Sequence, residues 1–278
     1  MKKIYTIGKK NRIFKNNNFL MNLSLTNKII IFTCITYILS IILTSILGEK
    51  FFLENLALTP ALITSGKKPW TIITSIFMHG SMFHLFANMF SLFFLGNFLE
   101  KIIGDKKFFY IFLSSGLMGG IFYILGALIF NTPTISAVGA SGAIFGLLGT
   151  LAILIPYSKI YLIVGPLILI VLQVVANAIF PLKFLPTIDI IINVLLLVMV
   201  FSLFSFNTNL RKIAIPIKLQ MWVLPIIAIV PLVIIAQFIP LPIGNSAHIG
   251  GLVVGLICGI YLKIKYKNKM RMISNHFR

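Results

Sequence analysis

The sequence predicts an all-α, polytopic transmembrane helix bundle, and three observations carry that prediction. Of 278 residues, 59% are hydrophobic and 10% charged, against roughly 25% charged in an ordinary soluble domain. Mean hydropathy is +1.04. A soluble domain of this size could not keep so much apolar surface from water, which excludes a soluble enzyme, a disordered chain and a disulfide scaffold. Apolar runs recur along the chain, most of them long enough to cross roughly 30 Å of hydrocarbon. Finally, the cations fall on alternate connections between the runs, as the positive-inside rule requires.

The elements follow in order. Residues 1–28 form a basic segment rich in Lys and Asn. The first apolar run covers about 29–47 and is too long for a signal peptide. Residues 48–81 are a partly apolar connection, expected at the interface or dipping into the membrane. Further runs cover about 82–103, 108–130, 141–156, 160–180, 188–206, 221–240 and 247–264. Residues 29–265 thus form one transmembrane domain, and 266–278 a second basic tail.

Charge counting supports eight spans. With a cytoplasmic start, the inside segments hold 20 of the 24 Lys and Arg residues; the outside ones hold Lys50, Lys67, Lys68 and Lys183. Both termini are then expected in the cytoplasm of a multi-pass protein of the cell membrane. The formal net charge of +19 is accounted for by topology, so nucleic acid is not an expected partner; the lipid bilayer is. Cys34 and Cys258 lie inside apolar runs, where a disulfide is not expected.

Polar groups at membrane depth are costly and mark function by default. Three constellations stand out. Gly139-Ala140-Ser141-Gly142 places a serine where a helix enters the membrane, with N–H groups free to meet a developing oxyanion. In Ala247-His248-Ile249-Gly250-Gly251, His248 shares a face with Gly251, and Gly255 and Gly259 continue that face. A neutral imidazole there would take a serine proton if the two helices pack. In His79-x4-His84-x3-Asn88, His84 and Asn88 lie one helical turn apart, two donors for an anionic oxygen, with His79 as a buttress. Taken alone, each also fits a structural role: a small-residue packing seam, a packing histidine, or polar glue between helices. Under the charge-based topology His84, Ser141 and His248 all fall at the outer side. A zinc site is the chemical competitor, but there is no H-E-x-x-H and no carboxylate near these histidines. His276 lies apart, in the tail.

These residues resemble the rhomboid intramembrane serine proteases. The matching pieces are Trp70, His79-x4-His84-x3-Asn88, Gly96-x3-Glu100, Gly139-Ala140-Ser141-Gly142 and Ala247-His248-x2-Gly251-x3-Gly255, in family order. The resemblance implies a rhomboid-like core of six helices and a Ser–His dyad with no third acid. Ser141 would be the nucleophile and His248 the general base; His84, Asn88 and the Ser141 N–H would hold the oxyanion. Gly139, Gly142, Gly251 and Gly255 would support them, and Phe145 would pack against the His248 ring. It further implies transmembrane protein substrates, hydrolysis of a peptide bond in or next to their membrane segment, and no cofactor or metal.

Two features depart from the family. Trp70 is followed by Thr71, where members commonly carry Arg. Ser141 and His248 are 107 positions apart, with three runs between them where a compact rhomboid has one helix. Two extra helices within 158–240 preserve parity, so His248 stays on the side of Ser141. That insert carries Gln173, Asn177, Asp189, Asn193 and Gln237, read as interfacial polar residues; a gating or docking role would make Asp189→Ala change substrate preference. Two rival functions stand beside proteolysis: a non-catalytic rhomboid-like protein holding client helices, and a transporter or channel. The near absence of charge from span centres weighs against the latter.

Overall fold

A computed structural model of the chain describes residues 23–181, 183–203, 207–235 and 244–276. Most of the basic N-terminal segment, residues 236–243 with Gln237, and the side chains of Asn177 and His276 lie outside the described residues.

Helix α1 (Leu25–Leu47) is followed by three short helices, α2 (Glu49–Asn55), α3 (Pro60–Thr64) and α4 (Thr71–Thr74). Then come α5 (Met82–Ile103), α6 (Asp105–Ile129) and α7 (Ser141–Leu154). Strand β1 (Lys159–Ile163) leads into α8 (Val164–Ile179) and α9 (Leu185–Leu203). After α10 (Thr208–Arg211), strand β2 (Pro216–Gln220) precedes α11 (Leu224–Ile235), α12 (Asn245–Lys265) and α13 (Lys267–His276). Among the described residues, five helices are long and apolar enough to cross a membrane: α1, α5, α6, α9 over Leu185–Ser202, and α12. Helix α7 and the stretch Met221–Pro231 are apolar but shorter. The chain is a multi-pass, all-α membrane bundle.

Helix α7 sits at its centre. Eleven of its fourteen residues are buried, so it is apolar all round because protein, not lipid, surrounds it. Small residues let α12 and α6 approach it. A Cβ at Gly251 would overlap the Gly142 carbonyl, and one at Gly255 the Gly146 carbonyl. Thr150 ties the seam, its hydroxyl reaching the Gly146 and Gly255 carbonyls at 2.9 and 3.0 Å. Around this seam Leu92, Leu99, Phe108, Phe112, Leu147 and Leu151 are fully buried.

Helix α5 also holds the start of α1. The Glu100 carboxylate accepts the N–H groups of Leu25 and Thr26, both at 2.8 Å, and the Thr26 hydroxyl at 2.6 Å. A negative charge at a helix N-terminus satisfies free donors and the helix dipole together. Gly96, one turn earlier, makes room: a Cβ there would lie 2.7 Å from Thr26 Cγ2.

The insert departs from the expected pair of simple spans. The run at 160–180 begins as a strand, and β1 pairs antiparallel with β2, Lys159 opposite Gln220 and Ile163 opposite Pro216. Alternation and β-branched residues in Ile160-Tyr161-Leu162-Ile163 favour the pairing. The sheet closes the base of a hairpin formed by α8 and α9. That hairpin has its own small core of Leu169, Ile192 and Leu196, separate from the main one. Gln173 Nε2 donates to Asp189 Oδ1 across it at 2.8 Å.

The connection at 48–81 is tied down along its length. Leu58 and Ala137 exchange two backbone hydrogen bonds, both 2.9 Å, and the Ala61 N–H donates to the Pro133 carbonyl. Trp70 Nε1 donates to the Asn55 carbonyl at 3.0 Å and the Thr74 hydroxyl to that of Leu56 at 2.9 Å. Thr71 is buried, its hydroxyl donating to the Lys68 carbonyl. Of the three lysines in this connection, Lys68 has its Nζ over the Trp70 ring and donates to Asn55 Oδ1 at 2.7 Å.

Candidate active site

The site forms where the starts of α5, α7 and α12 meet. Ser81 caps α5, its Oγ accepting the His84 N–H at 3.1 Å. This starts the helix so that His84 and Asn88 share one face. Helix α7 begins at Ser141 with no side-chain cap, so the N–H groups of its first turn have no partner within the helix. The Gly seam brings the first turn of α12 alongside.

His248 Nε2 and Ser141 Oγ lie 2.9 Å apart, a hydrogen-bonding distance. Although 107 positions separate them, the two extra helices leave both at one end of the bundle. His248 is buried, and its Nδ1 has no hydrogen-bond partner among the described residues. Phe145, one turn beyond Ser141, holds the ring instead: the two rings stack with centroids 4.4 Å apart and planes inclined by 18°. For Nε2 to accept the serine proton, the ring proton must sit on Nδ1.

His84 and Asn88 lie beside Gly139, two residues before Ser141. Gly139 adopts φ +128°, which side-chain-bearing residues rarely reach, and a Cβ there would lie 2.9 Å from His84 Nε2 and 3.9 Å from Asn88 Nδ2. Only glycine fits between them. Its N–H donates to the Ser75 carbonyl at 2.8 Å, fixing the segment that leads into Ser141. Asn88 is buried, and its Nδ2 spends one donor on the His84 carbonyl at 2.9 Å; the second proton of that amide remains for another acceptor. Gly142 is less constrained, since a Cβ there would meet the Ala247 carbonyl at 3.3 Å.

His79 lies behind His84, edge-on, with ring centroids 5.1 Å apart and planes at 67°. It is 2% exposed, and among the described residues neither ring nitrogen has a hydrogen-bond partner of good geometry. Burial, with the neighbouring His84 second, pushes its pKa down to about 4. His79 is therefore a neutral, rigid back-stop at neutral pH. In the insert, Asp189 is half-buried and bonded to Gln173 while Asn193 is exposed; both lie in the hairpin and not in this cluster.

Of three contacts that hold the surrounding helices and loop, two were not legible from the residues themselves. Glu100 was notable only as part of a motif, yet it anchors α1 to α5. The Ser75–Gly139 backbone link carries no side-chain signal. Thr150 had one: it stands four residues after Gly146 on the seam face of α7.

Part of this region is similar to known proteins. Residues 66–195 match the family described as Rhomboid domain; this stretch contains His79, His84, Asn88 and Ser141, and ends before His248. RHOMBOID-like protein 1 of Arabidopsis thaliana is 39% identical over 95 residues, 34% of this chain and 23% of that protein. Rhomboid protein 1, mitochondrial, of Saccharomyces cerevisiae is 37% identical over 100 residues, 34% of this chain and 28% of that protein. Inactive RHOMBOID-like protein 8 of Arabidopsis thaliana is 37% identical over 89 residues, 32% of this chain and 24% of that protein. The chain thus matches about a quarter of the length of these relatives. Residues 66–195, somewhat under half of the chain, are thus similar to the Rhomboid domain, and the multi-pass helical bundle is in keeping with that similarity.

Proposed function

We propose that this chain is an intramembrane serine endopeptidase that cuts a peptide bond in or next to the transmembrane segment of a protein substrate. The observation that carries the reading is the 2.9 Å contact between Ser141 Oγ and His248 Nε2. Ser141 attacks the scissile carbonyl while His248 takes its proton. The oxyanion of the tetrahedral intermediate accepts hydrogen bonds from the Ser141 N–H, the Asn88 amide and the His84 ring. His248 then passes the proton to the leaving amine. Water enters from the loop side and repeats the sequence on the acyl-enzyme, restoring Ser141. Phe145 substitutes for an orienting acid by fixing the imidazole plane.

The charge distribution supports a topology with both termini in the cytoplasm and the site opening to the opposite side. The test is cleavage of a reconstituted transmembrane substrate. Wild type should cut it, and Ser141→Ala should lose about 10³-fold or more in rate while melting as wild type does. Full activity in that variant would end the proposal.

A second reading is a non-catalytic protein that binds client helices. It is favoured by one relative of comparable identity that is named inactive. Capture of a transmembrane peptide without any cleavage by wild type would favour this reading.

A further inference from the structure

At the end of the bundle opposite Ser141, α5 ends, α6 begins and α12 gives way to α13. Helix α13 is polar overall, yet it returns Met270 to the core, where it is 3% exposed. A cleft of about 80 Å³ opens at this junction. Its floor is Ile103, Leu262, Tyr266 and Met270, and its rim carries Lys107 and Lys269. Both lysines are exposed, and Lys107 Nζ stands 4.9 Å above the Tyr266 ring.

The surroundings are strongly positive. Lys263 and Arg271 flank the cleft in sequence and are exposed. Two acids lie at this end, outnumbered by these four cations: Asp105, exposed, whose Oδ1 accepts the Lys106 N–H, and Glu100, which holds α1. The cleft also sits where the apolar spans α5 and α12 end. An apolar floor beneath two ammonium groups, at that depth, matches a headgroup phosphate with acyl chains below it. A free phosphate would gain nothing from Ile103 and Leu262. The volume admits a phosphate group but not a whole lipid, so the acyl chains lie against the outside of the bundle.

We propose that this cleft binds the phosphate group of an anionic phospholipid between Lys107 and Lys269. The site stands apart from the proteolytic reading and does not depend on it. A lysine at an anionic membrane surface contributes a factor of about five in affinity.

The test uses the purified full chain in neutral detergent, with retained lipids counted by native mass spectrometry. Wild type should retain phosphatidylglycerol in preference to phosphatidylcholine. Lys107→Gln with Lys269→Gln should cut phosphatidylglycerol affinity by about 25-fold, the product of two such factors. Lys50→Gln with Lys67→Gln, an equal loss of charge at the other end of the bundle, should leave it unchanged. Inorganic phosphate at matched concentration should not displace the lipid. Equal retention of the two lipids by wild type, an undiminished double variant, or full displacement by inorganic phosphate would each overturn the proposal.

Discussion

Phe145 lies flat against His248, with ring centroids 4.4 Å apart and planes inclined by 18°. Among the described residues the imidazole has no carboxylate bonded to it, and its Nδ1 has no hydrogen-bond partner. Stacking is what keeps Nε2 aimed at Ser141. Phe145→Ala should therefore lower kcat by about 10²-fold, the scale of a misplaced catalytic group, with KM little changed. Phe145→Tyr should retain most activity, because the stacking plane survives. Equal kcat for wild type and Phe145→Ala, both fully folded, would remove the orienting role.

The glycine seam makes a sharp prediction about stability. A Cβ at Gly251 or Gly255 would overlap a carbonyl of α7, so either glycine replaced by Ala must push the helices apart. We expect a loss of about 1–3 kcal/mol for each, read as a lowered melting temperature in detergent. Gly80→Ala is the control, since the nearest atom to its Cβ would be 3.9 Å away. A seam variant melting with wild type would mean that the contact is looser than the structure has it.

Glu100 joins two helices through three hydrogen bonds. Glu100→Ala leaves the Leu25 and Thr26 donors unpaired in a half-buried place. The expected cost is about 1–3 kcal/mol. Limited proteolysis should then cut near residue 24 faster than in wild type. Unchanged cleavage there would show that α1 is held by lipid and packing alone.

His79 gives the protein an acid sensitivity whose sign follows from burial. Its pKa is held near 4, against 6.5 for a free imidazole. The folded form therefore binds a proton less readily than the unfolded one. The stability tied to neutral His79 is fully present above about pH 6.5, falls as pH drops from there toward 4, and changes no further below. The shift corresponds to about 3 kcal/mol at most. Melting of wild type and His79→Gln between pH 7 and pH 4.5 checks it: the decline should be shallower in the variant. Parallel curves would assign the acid sensitivity to other groups.

Much of the site was legible because the chain is so apolar. In such a background Ser141, His248, His84 and Asn88 stand out individually, and membrane-depth polar groups rarely lack a reason. Span parity then told which of them share a side. The two-stranded sheet was not legible. Ile160-Tyr161-Leu162-Ile163 reads equally as a helix start or a buried strand, and its partner lies beyond α8, α9 and α10. The Glu100 cap was hidden for the same reason: a carboxylate late in α5 does not reveal that the first turn of α1 lies beside it. The links between 48–81 and 133–139 are mostly main-chain bonds, which leave little trace in side-chain identity.

The most direct measurement of the central claim is fluorophosphonate labelling of the purified protein in mild detergent. Wild type, Ser141→Ala and His248→Ala would be compared at matched melting temperature. A serine activated by His248 predicts label on wild type alone, with the adduct mapped to Ser141. Label on Ser141→Ala, label on His248→Ala at the wild-type rate, or none on folded wild type would contradict it.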